Sequence, residues 1–136
     1  LEAVLILPAT AIGFLSVAVL NLNNMRDEAS DRKSGKNTLV VKMGIENAKK
    51  YHYFLIVGAM ILVLLFAVLS DFNFDQYLFL LAYIPLIKHL NTVRKNENTK
   101  LLDPELKKVA LSTFALSILL ALCMIFFFSD LIVNNS

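Results

Sequence analysis

The 136-residue sequence has a single cysteine, Cys123. One cysteine excludes a disulfide framework and a multi-cysteine metal site, and its place inside an apolar run marks it as a small core or lipid-facing residue. Charge is scarce too: 18% of residues are charged and 57% are hydrophobic, whereas an ordinary soluble domain has about 25% and 45–50%. The scarcity is uneven. Lys and Arg are absent before Arg26, between Lys50 and Lys88, and after Lys108; all 13 fall in two segments, seven in Arg26–Lys50 and six in Lys88–Lys108. No internal repeat, low-complexity stretch or Walker-type glycine pattern is present. The net charge is +2, and the basic residues flank apolar runs, so phospholipid head groups or an anionic substrate are the expected partners and nucleic acid is not.

The uncharged runs define the class. Ala3–Asn24, Tyr51–Ser70 and Val109–Ser129 carry no Asp, Glu, Lys or Arg; each has roughly 20 residues, enough at about 1.5 Å per residue to cross a hydrocarbon layer of about 30 Å. A fourth run, Gln76–Ile87, is shorter. It spans only if Phe72 and Phe74 extend it and Lys88 snorkels. The charge pattern favours a crossing, because two apolar runs separate the two basic segments and four crossings put both on one side. The expectation is an all-α, polytopic transmembrane helical bundle with four spans, at about 3–24, 51–70, 74–90 and 107–129. By the positive-inside rule, loops 25–50 and 91–106 face the cytoplasm. No basic region precedes the first run, which argues against a signal peptide. The chain begins with Leu1 and enters a span at once, so it reads as a fragment of a longer membrane protein.

The segment NNMRDEASDRKSGKNTLVV, Asn23 to Val41, stands out against this background. Asn23, Asp27 and Asp31 recur every four residues, so a first helix continuing to about Asp31 would stack them on one face. Like charges at this spacing repel by about 0.2–0.5 kcal/mol. Carboxylates at a helix carboxyl end also oppose the macrodipole by roughly 0.3–1 kcal/mol each. A divalent cation reverses both effects, and two carboxylates beside an amide oxygen suit magnesium, which completes its shell with water and substrate phosphate oxygens. The bland alternative is a solvated helix end balanced by Arg26, Arg32 and Lys33. Arg32, Lys33 and Lys36 follow within five residues, and Ser34–Gly35 gives a turn able to fold them back. An acidic pair, a turn and a basic cluster together match a metal-bridged diphosphate.

The second polar segment, LNTVRKNENTKLLDPELKK, mixes signs. Asp103 reads as an N-cap and Pro104 as a first-turn residue of the last helix, so this loop is assigned to topology and capping. His52 and His89 read as boundary residues, His89 being a weak candidate for proton chemistry. Tyr51, Tyr53, Tyr77 and Tyr83 fit an interfacial aromatic belt.

The run NNMRDEASDRKSGKNTLVVKMG, Asn23 to Gly44, resembles the second aspartate-rich motif of the UbiA superfamily of membrane-embedded aromatic prenyltransferases. Its double Asn, its GK-x-TLVV run and the later LDPELKKVALSTF are most similar to the branch acting on dihydroxynaphthoate in menaquinone synthesis. The resemblance implies a helical membrane enzyme of about nine spans, these four being the last, in the bacterial inner (cytoplasmic) membrane with the site facing the cytoplasm. It implies that Asp27 and Asp31 are catalytic and hold Mg2+ on a polyprenyl diphosphate, and that Asn23, Arg32 and Lys36 bind the diphosphate. The other partner it implies is an aromatic acceptor, 4-hydroxybenzoate being the alternative to the naphthoate. The first aspartate-rich motif has no counterpart here, so the missing amino-terminal half would supply it and the segment alone would be inactive. A non-catalytic four-span subunit whose basic loops dock anionic lipid is the rival reading.

Overall fold

The computed structural model describes residues 3–134, and its regular structure is entirely helical. The elements are α1 (Ile6–Lys33), α2 (Leu39–Met43), α3 (Ile45–Leu69), a 3-10 segment (Phe74–Ala82), α4 (Tyr83–Lys95), a short 3-10 turn (Thr99–Leu102) and α5 (Asp103–Asn134). Three stretches are long and apolar enough to cross a membrane: Ile6–Lys33, Ile45–Leu69 and Thr99–Phe127.

Helix α1 begins where Pro8 can be tolerated, in a first turn whose N–H groups lack intrahelical partners. It buries Ala11, Leu15, Ala18, Leu22 and Met25, a stripe at helical spacing. Helix α3 answers with Ala48, Leu55, Ile56, Ala59, Val63 and Phe66. Small residues let the two backbones approach, which is how membrane helices gain packing energy. At Gly58 the approach is close enough that an added Cβ would lie 3.1 Å from the Phe14 ring. Cys123 belongs to the buried core.

The fourth apolar run is not one α-helix. Pro85 lies in the first turn of α4 and has no N–H to offer the carbonyl four residues back, so α-helical bonding cannot pass unbroken through it. The chain before it winds in 3-10 turns broken by a kink at Tyr77 (φ −90°, ψ 17°); Gln76 is buried before the kink, and Phe79 and Ala82 are buried three positions apart after it, as eclipsed 3-10 side chains are. This winding lengthens the run, which still lies outside the three stretches long and apolar enough to cross a membrane. At about 2.0 Å per 3-10 residue and about 1.5 Å per α-helical residue, Phe74–Ile87 reaches about 25 Å.

Buried polar bonds join the spans. The His52 and His89 rings, both fully buried, meet Nε2 to Nε2 at 2.7 Å. His89 Nδ1 lies 2.6 Å from Glu105 Oε2, and Lys108 pairs with the other Glu105 oxygen. This chain links α3, α4 and α5, so the two histidines are interior cross-links rather than boundary residues. Tyr53 Oη donates to the Leu90 carbonyl at 2.5 Å and Tyr83 Oη to the Met60 carbonyl at 2.6 Å; these tyrosines bridge α3 and α4 instead of lying free in an aromatic belt. Asn21 Nδ2 donates to the Ala48 carbonyl at 3.0 Å, joining α1 to α3. In α1 and α5, Ser16, Thr113 and Ser117 bond carbonyls one turn back on their own helices.

Removing one member of the histidine chain strands the others. His89→Ala in the full-length protein should cost about 3 kcal/mol, the scale for breaking a buried charged pair. Tyr53→Phe should cost only about 0.6 kcal/mol, the average for an interhelical bond in lipid. Thermal unfolding in detergent separates the two, and equal effects would contradict this ranking.

Candidate active site

Helix α1 runs past the apolar core to Lys33. The expected continuation to Asp31 is met, and little of segment 25–50 is true loop. The chain then turns at Ser34–Gly35. Gly35 takes φ 74°, a left-handed conformation that suits glycine, and Lys36 N–H returns to the Asp31 carbonyl at 2.9 Å. The return brings the Lys36 ammonium to 3.2 Å from Asp31 Oδ1. Asp31 is buried, whereas Lys36 is exposed.

Asp27 is held by its neighbour. Arg26 donates from Nε to Asp27 Oδ1 at 2.8 Å and from Nη2 to Asp27 Oδ2 at 2.9 Å. The same Nη2 donates to Asn23 Oδ1 at 2.8 Å, and Nη1 reaches Asp103 Oδ1, at the start of α5, at 2.6 Å. These hydrogen bonds from Arg26 hold the Asp27 carboxyl below the usual carboxylate range. Burial opposes the shift, and the positive charges of Arg26 and Lys36 add to it. Lys36 thus acts on both acids, by contact with Asp31 and through its field at Asp27. A cleft of about 560 Å³ opens here, lined by Arg26, Asp27, Ser30, Asn98, Lys100 and Asp103, among others.

The expected residues divide. Asn23 and Asp27 are gathered by Arg26; Asp31 and Lys36 form a neighbouring pair. Arg32 is elsewhere: its guanidinium pairs with Glu28 one turn back. Asp103 does not sit outside the helix as an N-cap, because it has helical φ/ψ of −56° and −45° and spends its carboxylate on Arg26. Three participants escaped the sequence reading: Arg26, taken there as a counter-charge only, and Asp103 and Lys100, assigned to capping and topology. Contact between residues 26 and 103 crosses 77 positions and left no local signal.

The donor set is hard oxygen. Among the described residues no three His, Cys, Asp or Glu side chains group to hold a metal unaided. Two carboxylates near one basic turn fit magnesium shared with phosphate, which needs only one or two protein carboxylates.

The architecture is that of a helical membrane protein with an acid–base site at the polar end of its first span. Residues 1–103 match the UbiA prenyltransferase family, and the chain belongs to that family. It is 42% identical over 118 residues to the 1,4-dihydroxy-2-naphthoate octaprenyltransferase of Escherichia coli (strain K12), covering 87% of this chain and 38% of that protein. It is 38% identical over 122 residues to the protein of the same name from Haemophilus influenzae, covering 90% and 40%. A UbiA prenyltransferase domain-containing protein 1 from Dictyostelium discoideum is 31% identical over 98 residues, covering 72% and 28%. The chain thus spans about two-fifths of the length of the two bacterial relatives. No solved structure is significantly similar to it.

The Asp27 shift has a testable cause. Because its pKa is depressed in the folded protein, the stabilisation from ionised Asp27 is present at neutral pH and is lost only as pH falls through the lowered value. Arg26→Ala should raise the Asp27 pKa toward its ordinary 3.8, as read by the infrared carboxyl band during acid titration. An unmoved band would assign the shift to another group.

Proposed function

We propose that the full-length protein transfers a polyprenyl group from a polyprenyl diphosphate to 1,4-dihydroxy-2-naphthoate in menaquinone synthesis, in the bacterial inner membrane with the basic loops facing the cytoplasm. The observation that carries this reading is the similarity to the two bacterial octaprenyltransferases across nearly the whole chain. The clustering of Asn23, Asp27, Asp31 and Lys36 at one polar helix end supports it.

In this reading Asp27 and Asp31 hold Mg2+, and the ion, when bound, supplies positive charge against the departing diphosphate. Asn23 fixes Arg26, and Arg26 orients Asp27. Lys36 offers its ammonium to a diphosphate oxygen once Asp31 has another counter-charge. Arg32 joins the diphosphate site only on release from Glu28. The preorganised cations act where negative charge develops as the allylic carbon–oxygen bond breaks. The exposed apolar faces of the spans receive the polyprenyl tail, and the naphthoate ring captures the allylic cation and then loses its carboxylate. A further aspartate-rich motif from the rest of the full-length protein completes the site.

Asp27→Ala and Asp31→Ala in the full-length protein should each lower transfer by at least about a hundredfold, the scale for losing one stabilising group at a developing charge, with membrane insertion unchanged. Wild-type rates in both variants would favour a non-catalytic, lipid-docking module. Offering dihydroxynaphthoate and 4-hydroxybenzoate to the same preparation decides the acceptor. Residues 1–136 expressed alone should insert and show no transfer; turnover by that segment would refute the shared site.

A further inference from the structure

The seam between α3 and α4, on elements that the prenyl-transfer reading does not use for its diphosphate, carries two connected hollows. At the basic-loop end, a cleft of about 340 Å³ is lined by Glu46, Lys49, Lys50, Tyr53 and Arg94. Deeper along the same two helices lies an apolar slot of about 350 Å³, walled by Val57, Ile61 and Leu64 from α3 and by Tyr83, Ile87 and Leu90 from α4, among others. The Tyr53 hydroxyl, from the cleft, donates to the carbonyl of Leu90, in the slot. One bond therefore ties the two hollows into a single groove and fixes the distance between its walls. A second tie, from Tyr83 to the Met60 carbonyl, holds the slot at mid-depth.

The chemistry changes along the groove. Lys49 is engaged with Glu46 at 3.2 Å and with the Asn96 carbonyl at 2.9 Å. Lys50 and Arg94 are exposed, and among the described residues neither pairs with an acid; Arg94 donates only to the neutral Asn91 amide oxygen, at 3.2 Å. Three cations against one carboxylate leave the cleft positive. Below it, Val57, Ile61, Leu64 and Ile87 are substantially exposed, and the slot runs about 10 Å along α3 from Val57 to Leu64. A positive mouth at the membrane boundary above an apolar channel inside the hydrocarbon complements an anionic head carrying an acyl chain.

We infer that the α3–α4 seam is a binding site for an anionic glycerophospholipid, its phosphate held between Lys50 and Arg94 and one acyl chain in the Val57–Leu64 slot. A free phosphate would use the mouth and leave the slot without a role. The site shares no residue with the proposed diphosphate site.

Native mass spectrometry of the full-length protein in detergent, titrated with phosphatidylglycerol or with phosphatidylcholine of the same acyl chains, tests it. The wild type should retain phosphatidylglycerol about tenfold better, a ratio within reach of two juxtamembrane cations. K50Q/R94Q should abolish the preference, and I61W, which fills the slot, should lower retention of both lipids while leaving the circular dichroism of the helices unchanged. Equal retention by the wild type, an undiminished preference in K50Q/R94Q, unchanged retention in I61W, or complete displacement of phosphatidylglycerol by inorganic phosphate would overturn the inference.

Discussion

Inside a bilayer, hydrocarbon is as apolar as leucine, so burying leucine against leucine gives helices little reason to choose one arrangement. The determining interactions in this protein are the polar bonds that cross between helices, above all the His52–His89–Glu105 chain. An unpaired imidazole or carboxylate in that layer costs several kcal/mol, so the three helices are committed to the register that brings His52 Nε2, His89 and Glu105 together. Glu105 lies two residues from Asp103, and fixing Glu105 also fixes the start of α5 over the end of α1, where Asp103 meets Arg26. The interior cross-link and the polar site are two ends of one mechanical arrangement.

At that site each acid already has a cation. Arg26 satisfies both oxygens of Asp27, and Lys36 contacts Asp31. Such a cluster avoids the repulsion expected of stacked carboxylates. In the proposed reaction, a divalent ion taking over Asp31 would free Lys36 to bind an anion, while Arg26 stays held by Asn23 and Asp103. Metal and diphosphate would then favour one another's binding without any large movement of the helices.

Much of this was legible in the sequence. Long uncharged runs announced the spans, and the four-residue spacing of Asn23, Asp27 and Asp31 announced a shared helix end, because both are local patterns of known period. The Ser34–Gly35 turn was equally plain. What could not be read was non-local. The pairing of His52 with His89 depends on how α3 and α4 pack, and each histidine alone looks like a boundary residue. Arg32 was assigned to the diphosphate because it stands near Asp31 in sequence, yet the helix aims it at Glu28, one turn back. Asp103 showed every local sign of a cap, and a distant arginine outweighed them.

The three-residue winding that follows Tyr77 governs how this region can change length. Beyond the kink at Tyr77, Phe79 and Ala82 form a short inward column, and each residue there turns the helix by about 120° rather than about 100°. Dropping one residue would swing the column a third of a revolution and carry Leu80 or Leu81, now facing outward, into the bundle. Dropping three would restore the facing and merely shorten the segment by about 6 Å. Insertions and deletions here should therefore be tolerated in triplets, whereas the neighbouring α-helices have no such whole-number step.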